Sequence, residues 1–220
     1  MKLIKPSFNI IEQQSGLEGM YKQIEMAGRT CYKSEDKITD TSCEEFVNRM
    51  VNSGHGAMLE HGTVYLIISE QVDDFESIYE DFEQNKYSKT NYDGSFLYVT
   101  TNYRVLVEND WLYALDYQCE PTVMHEKRIT VKFILPISIS REFIRHRTAS
   151  FAEQSTRYCN FSRGKFGNEL TFIRPYWFTY MDEKGQAHGA RFEEWCQQAE
   201  QDYMEAVSIG LKAQEARELL

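Results

Sequence analysis

The sequence has few of the features that mark secreted proteins, membrane proteins or zinc ribbons. Its five cysteines are odd in number and irregularly spaced, and no two of them form a CxxC pair. This pattern favours neither a disulfide framework nor a zinc ribbon. The first ten residues contain no apolar stretch of signal-peptide length, and no run elsewhere reaches membrane-spanning length. These absences predict a cytoplasmic protein with reduced, buried thiols and no membrane partner.

Charge is unevenly distributed along this acidic chain. The net charge is −10 at pH 7, which argues against a general nucleic-acid-binding protein, because such proteins gain affinity by neutralising phosphates. Residues 70–93 are strongly acidic, whereas residues 140–174 carry an excess of arginine and lysine. A basic stretch within an acidic protein predicts a binding site for a small anionic ligand.

Length and hydrophobic periodicity predict one α+β domain. The 220 residues are enough for a single domain with a hydrophobic core. Capping patterns and apolar spacing predict helices that start at Ser15 and at Thr41 or Ser42 and helices that span 140–150 and 190–211. Strands are predicted at 63–69, 96–100, 103–107, 130–137 and 170–178, with a surface helix and then a polar loop at 85–95 between the first two. Because strands and helices do not alternate regularly, we expect an antiparallel or mixed sheet flanked by helices.

The densest group of chemically active side chains lies at residues 145–158. The segment reads Arg-His-Arg-Thr-Ala-Ser-Phe-Ala-Glu-Gln-Ser-Thr-Arg-Tyr. If its beginning is helical, Arg141 and Arg145 lie one turn apart on one face and Arg147 lies on another. Guanidinium groups on two faces can bind two anions, because the planar fork pairs with phosphate oxygens and stays charged when partly buried. The alternative is a solvated basic helix end held by surface salt bridges.

This segment resembles the signature of the flavin-dependent thymidylate synthase family, Arg-His-Arg-x-x-Ser-x-Asn-Glu-x-Ser-x-Arg-Tyr. Every fixed position matches except one, where Ala152 replaces the usual Asn. Residues 27–32 and 54–61 are similar to N-terminal segments of the family, and residues 214–219 resemble the segment whose arginine contacts dUMP. The resemblance covers residues 20–69 and 130–220, and residues 70–129 are interpreted as an insertion.

The resemblance implies the reductive methylation of dUMP to dTMP. Methylenetetrahydrofolate would supply the carbon, NADPH the electrons and FAD the relay between them. In this family reduced flavin delivers hydride to the uracil ring, so no cysteine nucleophile is required. The family's sites are shared between the subunits of a homotetramer, so the binding residues need not converge within one chain.

The same resemblance implies roles for individual residues. Those expected to bind FAD, or the folate beside it, are His55, Ala57, Glu60, Arg145, His146, Arg147 and Glu153. Those expected to surround dUMP are Glu142, Arg145, Glu153, Gln154, Ser155, Thr156, Arg157 and Arg217. No cysteine lies in an activating constellation, and Cys159, just beyond the signature, is expected to have no catalytic role.

Two departures from the family pattern bear on the function. Glu142 stands where the family often has Gln beside the nucleotide, and an acid there would alter pairing with a phosphate or a uracil edge. The family normally continues with an Asn-x-Arg flavin-binding segment and a further Arg that polarises the uracil ring. Both are expected beyond Leu220, so no catalytic residue is assigned within these 220 residues. The 220 residues alone are therefore expected to bind FAD weakly and to make no dTMP.

Two other functions are open at the level of sequence. One is a non-catalytic, nucleotide-binding relative that lacks the family's C-terminal segment. The other is a metal-dependent phosphohydrolase, with ligands drawn from His55, Glu60, His61 and His146, since imidazole and carboxylate suit zinc or iron. Glu60 and His61 are adjacent, however, and no HExxH pattern occurs, so no metal site is expected.

Overall fold

The computed structural model describes residues 1–164 and 167–220. Lys165, which contributes to the basic stretch, lies outside these ranges. The chain folds into two compact units: the first unit contains residues 1–9, 31–33 and 131–220, and the second unit contains residues 10–30 and 34–130. The single domain and the insertion at residues 70–129 remain predictions.

The described residues form helices and short strands in mixed order. In chain order the strands and α-helices are β1 (Lys2–Ile4), β2 (Ser7–Ile11), α1 (Gly16–Cys31), α2 (Ser42–Asn52), α3 (Gly56–Leu59), β3 (Thr63–Ser69), α4 (Phe75–Gln84), β4 (Lys89–Tyr92), β5 (Phe96–Asn102), α5 (Tyr103–Glu108), β6 (Thr130–Ile134), α6 (Ile137–Phe143), β7 (Thr171–Ile173), α7 (His188–Ser208) and α8 (Ala213–Ala216). Short 3₁₀ helices lie at Glu35–Lys37, Leu112–Tyr117 and Arg217–Leu219.

The second unit is built on a three-stranded antiparallel sheet with β5 in the middle. Strand β3 pairs with β5 along its whole length, from Thr63 opposite Asn102 to Ser69 opposite Phe96. Alternate residues of β3 point to opposite faces, and Val64, Leu66 and Ile68 are fully buried. They belong to one core with apolar residues of α1, α2 and α4, including Met20, Ile24, Phe46, Val47, Ile78 and Phe82. This unit therefore has the two-layer arrangement in which helices cover an antiparallel sheet.

The first unit has a smaller core beside a parallel strand pair. Strand β1 pairs in parallel with β7, with Lys2 opposite Thr171. Tyr203, on α7, is fully buried and its hydroxyl accepts a hydrogen bond from the backbone N–H of Phe161. The other buried members of this core are Cys159, Leu170, Ala206 and Ala216. The core thus joins the long helix α7 to α8 and to the chain that follows the signature.

The structure confirms the α+β class and corrects several predicted boundaries. Residues 103–107 are helical rather than extended, because the side chain of Asn102 accepts a hydrogen bond from Val105 N–H and caps α5. Strand β4 lies inside the predicted polar loop 85–95. The helix predicted at 140–150 is α6, which begins earlier and ends at Phe143. Among the described residues, no helix is both long enough and apolar enough to cross a membrane.

Candidate functional site

The first three signature residues lie in a turn that follows α6. The helix ends at Phe143, and the N–H groups of Arg145 and His146 then bond to the carbonyls of Glu142 and Phe143 at 3.2 and 3.0 Å. Residues 141–150 are all exposed to solvent. The prediction of a helix that carries Arg141 and Arg145 on one face and Arg147 on another is therefore wrong for its second half, because Arg145 and Arg147 extend from irregular backbone after α6.

Arg145 forms a weak, solvent-exposed ion pair with Glu142. Its Nη1 lies 3.1 Å from Oε2 of Glu142, three positions earlier, and both side chains are more than 60% exposed. Exposed pairs of this kind contribute only about 0–1 kcal/mol to stability. A phosphate can replace the carboxylate at little cost, so Arg145 is available for an anionic ligand.

A row of aromatic ring contacts leads from a two-stranded sheet to His146. The Phe8 and Phe133 ring centroids are 6.3 Å apart, those of Phe133 and Phe143 are 5.0 Å apart, and the His146 ring lies 6.5 Å from Phe143. Strands β2 and β6 form the two-stranded sheet that supplies the first two rings. Tilted and edge-on ring contacts at these distances are favourable. They connect the position of His146 to a sheet rather than leaving it on a free loop.

The second half of the signature has no regular secondary structure before a turn at Thr156–Tyr158, and it contacts Cys31 and Tyr32. The N–H of Ser155 donates to the carbonyl of Cys31 at 2.8 Å, and the Ser155 side chain accepts from Arg157 N–H at 3.2 Å. The rings of Tyr32 and Tyr158 lie 5.8 Å apart. The family-like segment 27–32 therefore meets the signature through its last two residues.

Glu153 has two neighbours that anchor it at different atoms. The Ser140 hydroxyl donates a hydrogen bond to its carboxylate, and its backbone N–H is directed at the thiol of Cys31. Burial raises the pKa of the Cys31 thiol, a hydrogen bond from Glu153 N–H partly opposes that change, and the Glu153 charge reinforces it. Cys31 is thus kept as a neutral thiol beside an acidic signature residue. Ser140 was not predicted as a site residue, and its contact with Glu153 spans 13 positions without any local periodicity to signal it.

Arg217 reaches the signature from the far end of the chain. Its Nη1 donates to the hydroxyl of Thr156 at 3.3 Å. The arginine begins a 3₁₀ turn directly after α8, whose Ala213 and Ala216 are buried. At the start of α8, Glu215 accepts a hydrogen bond from Lys212 N–H at 2.7 Å. The start of α8 is thus capped and its two alanines are packed in the core, and Arg217 follows them directly beside Thr156.

The residues expected to bind dUMP lie in the first unit and differ in how far they are buried. Ser155 and Thr156 are half-buried and bonded, whereas Glu142, Gln154 and Arg157 are exposed. The guanidinium of Arg157 lies 5.6 Å from the centroid of the Tyr158 ring, a weak cation–π contact. The expected substrate set therefore combines exposed donors and acceptors with the hydrogen-bonded backbone around Ser155.

The remaining expected cofactor residues belong to the second unit. His55 precedes α3 and Ala57 lies within it, and both are exposed. Glu60 accepts a hydrogen bond from Arg104 Nη1 at 2.6 Å, and Arg104 Nε donates to Glu108 at 2.7 Å. These hydrogen bonds, first that to Glu108 and then that to Glu60, raise the pKa of Arg104. Glu60 is therefore engaged in a local ion-pair network.

The cysteine next to the signature is inaccessible. Cys159 has no exposed surface and packs in the core of the first unit with Leu170 and Tyr203. In residues 1–164 and 167–220, no three His, Cys, Asp or Glu side chains are grouped so that they could hold a metal ion.

Comparison with protein families identifies one relationship. The model of the family described as thymidylate synthase complementing protein matches residues 95–220, which is more than half of the chain. The match confirms the resemblance carried by the signature and supports a thymidylate-synthase-related function. Searches of curated proteins and of solved structures found no significant match.

Proposed function

Because this chain belongs to the thymidylate synthase complementing protein family, we propose that it catalyses the reductive methylation of dUMP to dTMP. The carbon would come from methylenetetrahydrofolate and the electrons from NADPH, through FAD. One observation carries the proposal: the signature and Arg217, 61 positions apart, are joined at Thr156. Residues that the family resemblance assigns to a single ligand are thereby adjacent in the folded chain.

The dUMP phosphate would be bound by arginines at the edge of the ordered segment. Arg157 is exposed, and its neighbour Ser155 is fixed by the backbone bond to Cys31. Arg217 is half-buried and already oriented by Thr156. A dianionic phosphate suits two guanidiniums because each can form paired, charge-assisted hydrogen bonds. We infer that Arg157 and Arg217 orient the nucleotide while Ser155 and Gln154 supply neutral donors.

The residues of the turn after α6 fit the pyrophosphate of FAD. Arg145, His146 and Arg147 are consecutive and exposed and offer only hydrogen-bond donors or an imidazole, a donor set that matches a diphosphate. FAD, when bound, supplies the hydride for the uracil ring. In this chain Arg145 and Arg147 would neutralise the diphosphate charge, and the ring of Phe143 would keep His146 in place.

Glu153 would hold a proton-bearing group of either ligand. Its carboxylate accepts from Ser140 and keeps further lone pairs free, since an ionised carboxylate has about four acceptor sites. The N–H groups of a uracil or isoalloxazine ring edge are suitable donors for it. Glu142, which occupies a position where the family often has Gln, is tied to Arg145 and would leave that arginine when a phosphate binds.

We propose that the protein assembles as a homotetramer with shared sites. Ile137, Ile139, Phe143, Ile144 and Phe151 are each 37–48% exposed and lie on α6 and the chain around it. Contiguous exposed apolar side chains on a surface mark interaction sites. A second subunit that covers this cluster would place its own residues beside the signature. Light scattering after size-exclusion chromatography measures the assembly directly, and a monomer at micromolar concentration would contradict the proposal.

The experiment that tests the function is dUMP titration by calorimetry, followed by an assay for dTMP. Arg157→Ala should weaken dUMP binding by about 1.5–3 kcal/mol, the usual cost of losing a charge-assisted hydrogen bond. Arg163→Ala is the matched control, because Arg163 is also exposed and basic but lies outside the signature, and it should bind dUMP as the parent does. Equal affinity of the parent and Arg157→Ala would refute this use of the signature.

The assay for dTMP separates the enzyme from its non-catalytic relative. FAD, NADPH and methylenetetrahydrofolate are added to the dUMP-bound protein, and dTMP is measured by chromatography. Formation of dTMP establishes the reaction. Because the uracil-polarising Arg and the Asn-x-Arg flavin segment are expected beyond Leu220, the assay uses a chain that includes them. Tight, Arg157-dependent binding of dUMP without any dTMP from that chain would instead establish a nucleotide-binding protein of the same family.

A further inference from the structure

The first unit contains an open cleft of about 420 Å³ between the segment after β7 and the start of α7. The segment supplies Tyr176, Trp177 and Tyr180, and the helix supplies His188, Arg191 and Trp195. The three helical residues are spaced by three and four positions, so they lie on one face of α7. None of the six belongs to the signature or to the residues expected to bind dUMP or FAD.

The two walls of the cleft are tied together by backbone contacts. Asp182 N–H donates to Gln186 at 2.8 Å and His188 N–H donates to Tyr180 at 2.8 Å, so the connection folds back like a hairpin. Asp182 Oδ1 also accepts from the N–H groups of Lys184 and Gln186. The cleft is therefore a fixed feature of the backbone rather than a gap between two loose segments.

The floor of the cleft is rigid as well. The Trp177 ring stands perpendicular to the ring of Phe192, with centroids 5.5 Å apart. Gly189 lies so close to Phe178 that a β-carbon at position 189 would be 2.6 Å from the Phe178 carbonyl oxygen. The start of α7 is thus packed closely against the segment before it, and the ring of Phe192 contacts the indole of Trp177.

The lining combines exposed aromatic faces with positive charge. Tyr176 is 83% exposed, Trp195 is 57% exposed and Tyr180 is 55% exposed, which is costly for side chains that gain most from burial. The Arg191 guanidinium lies 5.8 Å from the Trp195 ring centroid, and none of the six lining residues is acidic. An aromatic cleft lined by an arginine disfavours a cationic ligand and favours an anionic one.

We propose that this cleft is a second binding site, for a planar heteroaromatic ring that carries a phosphate or a carboxylate. The ring would stack between the aromatic side chains of the two walls, and the acidic group would pair with Arg191. The volume lies within the range of small-molecule sites. Stacking on tyrosine and tryptophan tolerates many rings because every base has a π-face, so Arg191 provides the selection for the anion.

Calorimetry with four probes tests both parts of the proposal. Adenosine 5′-monophosphate offers a ring and a phosphate, pteroylglutamate offers a ring and carboxylates, adenosine offers the ring alone, and inorganic phosphate offers the anion alone. We expect one or both of the first two to bind at least about tenfold more tightly than either fragment. Binding of the monophosphate alone identifies a phosphate ligand, and binding of pteroylglutamate alone identifies a carboxylate ligand. Adenosine bound as tightly as its monophosphate, or no binding of any probe, overturns the proposal.

Variants locate the binding in the cleft and keep it distinct from the dUMP site. Arg191→Gln and Trp195→Ala should each weaken binding of the anionic ring at least about tenfold, whereas Arg157→Ala should leave it unchanged. Circular dichroism checks the fold of each variant; if Trp195→Ala does not fold, Arg191→Gln decides alone. If Arg157→Ala loses binding of the probe and Arg191→Gln keeps it, the probe binds at the signature and the second site is refuted. The proposed dUMP site is tested through Arg157, whereas the cleft is tested through Arg191 and Trp195. Failure of the dUMP proposal therefore does not decide whether the cleft binds a ligand.

Discussion

Arg217 donates a hydrogen bond to the hydroxyl of Thr156 at 3.3 Å, across 61 positions of the chain. The bond is partly buried, and each partner is held independently, Arg217 by the buried face of α8 and Thr156 by its neighbour Ser155. The arginine therefore has its direction set before any ligand arrives. Preorganisation of this kind reduces the conformational entropy that binding must overcome.

Replacing Arg217 should weaken dUMP binding without loosening the fold. Arg217→Ala removes both the charge and the bond to Thr156, and we expect a loss of about 1.5–3 kcal/mol in affinity by calorimetry. Thr156→Val removes only the hydroxyl partner, so it should cost less, about 0.5–1.5 kcal/mol. If Thr156→Val lowers affinity as much as Arg217→Ala, the guanidinium contributes nothing without the hydroxyl, which contradicts an independent contact between Arg217 and the nucleotide.

Removing the thiol of Cys159 should affect stability and leave ligand binding intact. The thiol is fully buried beside Tyr203, so Cys159→Ala leaves a small cavity that we expect to cost about 1 kcal/mol. Urea unfolding measures this loss, and dUMP calorimetry and dTMP formation should match the parent. A folded Cys159→Ala protein that binds dUMP but has lost a turnover shown by the parent would contradict the absence of a thiol nucleophile.

The buried carboxylate of Glu25 makes Arg29 essential to the second unit. Glu25 is 1% exposed, and one of its oxygens accepts from Nε and Nη2 of Arg29 at 3.0 and 2.9 Å, while Ser42 donates to the other. Arg29→Ala would leave this charge buried without its cation, which typically costs about 3–5 kcal/mol. We expect a corresponding fall in the free energy of unfolding in urea.

Arg49→Ala is the matched control for that experiment. The guanidiniums of Arg29 and Arg49 both lie over the Phe46 ring, at 4.8 and 5.2 Å, but Arg49 is exposed. Its removal should cost only about 0.5–1 kcal/mol. Similar losses for the two variants would mean that the ring contact, rather than the buried carboxylate, determines the effect of Arg29.

The Cys196 thiol should resist alkylation at neutral pH and become reactive only in strong base. Burial raises its pKa to about 11, whereas the pKa of a cysteine in an unfolded chain is about 8.5. The thiolate forms earlier in the unfolded chain, so the contribution of Cys196 to stability is complete below about pH 8.5 and is lost as the pH rises through about 11. Mass spectrometry after iodoacetamide treatment at pH 8 and pH 10.5 measures the labelling. The difference in urea stability between the parent and Cys196→Ala should change over the same interval.

The sequence predicts strands well where composition and pairing agree. Residues 63–69 have the apolar and β-branched composition of a strand, and β3 has these bounds. Strand β4 escapes prediction because its sequence, Lys-Thr-Asn-Tyr, is polar, and it is extended through antiparallel pairing with β5. Residues 103–107 have the composition of a strand but form a helix, because the side chain of Asn102 caps its first turn. Tertiary pairing and single caps override propensity in both cases.

In the candidate site, too, local sequence patterns reveal some features while contacts between distant segments stay hidden. Fixed spacing within the signature reveals its residue types, and the family match at residues 95–220 confirms what they resemble. Spacing could not show that α6 stops at Phe143, because nothing after that residue breaks a helix. It also could not show the contact between Ser140 and Glu153 or that between Arg217 and Thr156. Such contacts depend on how distant segments pack, which a local pattern does not record.

The first unit is assembled from distant parts of the chain, and this fixes an order of events during synthesis. The second unit is complete in sequence once residue 130 has been made, so it can fold while the nascent chain is still growing. Strand β1 must wait for β7, because Lys2 pairs with Thr171. Until residues 171–173 have left the ribosome, β1 lacks the strand with which it pairs in the described residues. During that interval its backbone is available to any chaperone that binds extended segments.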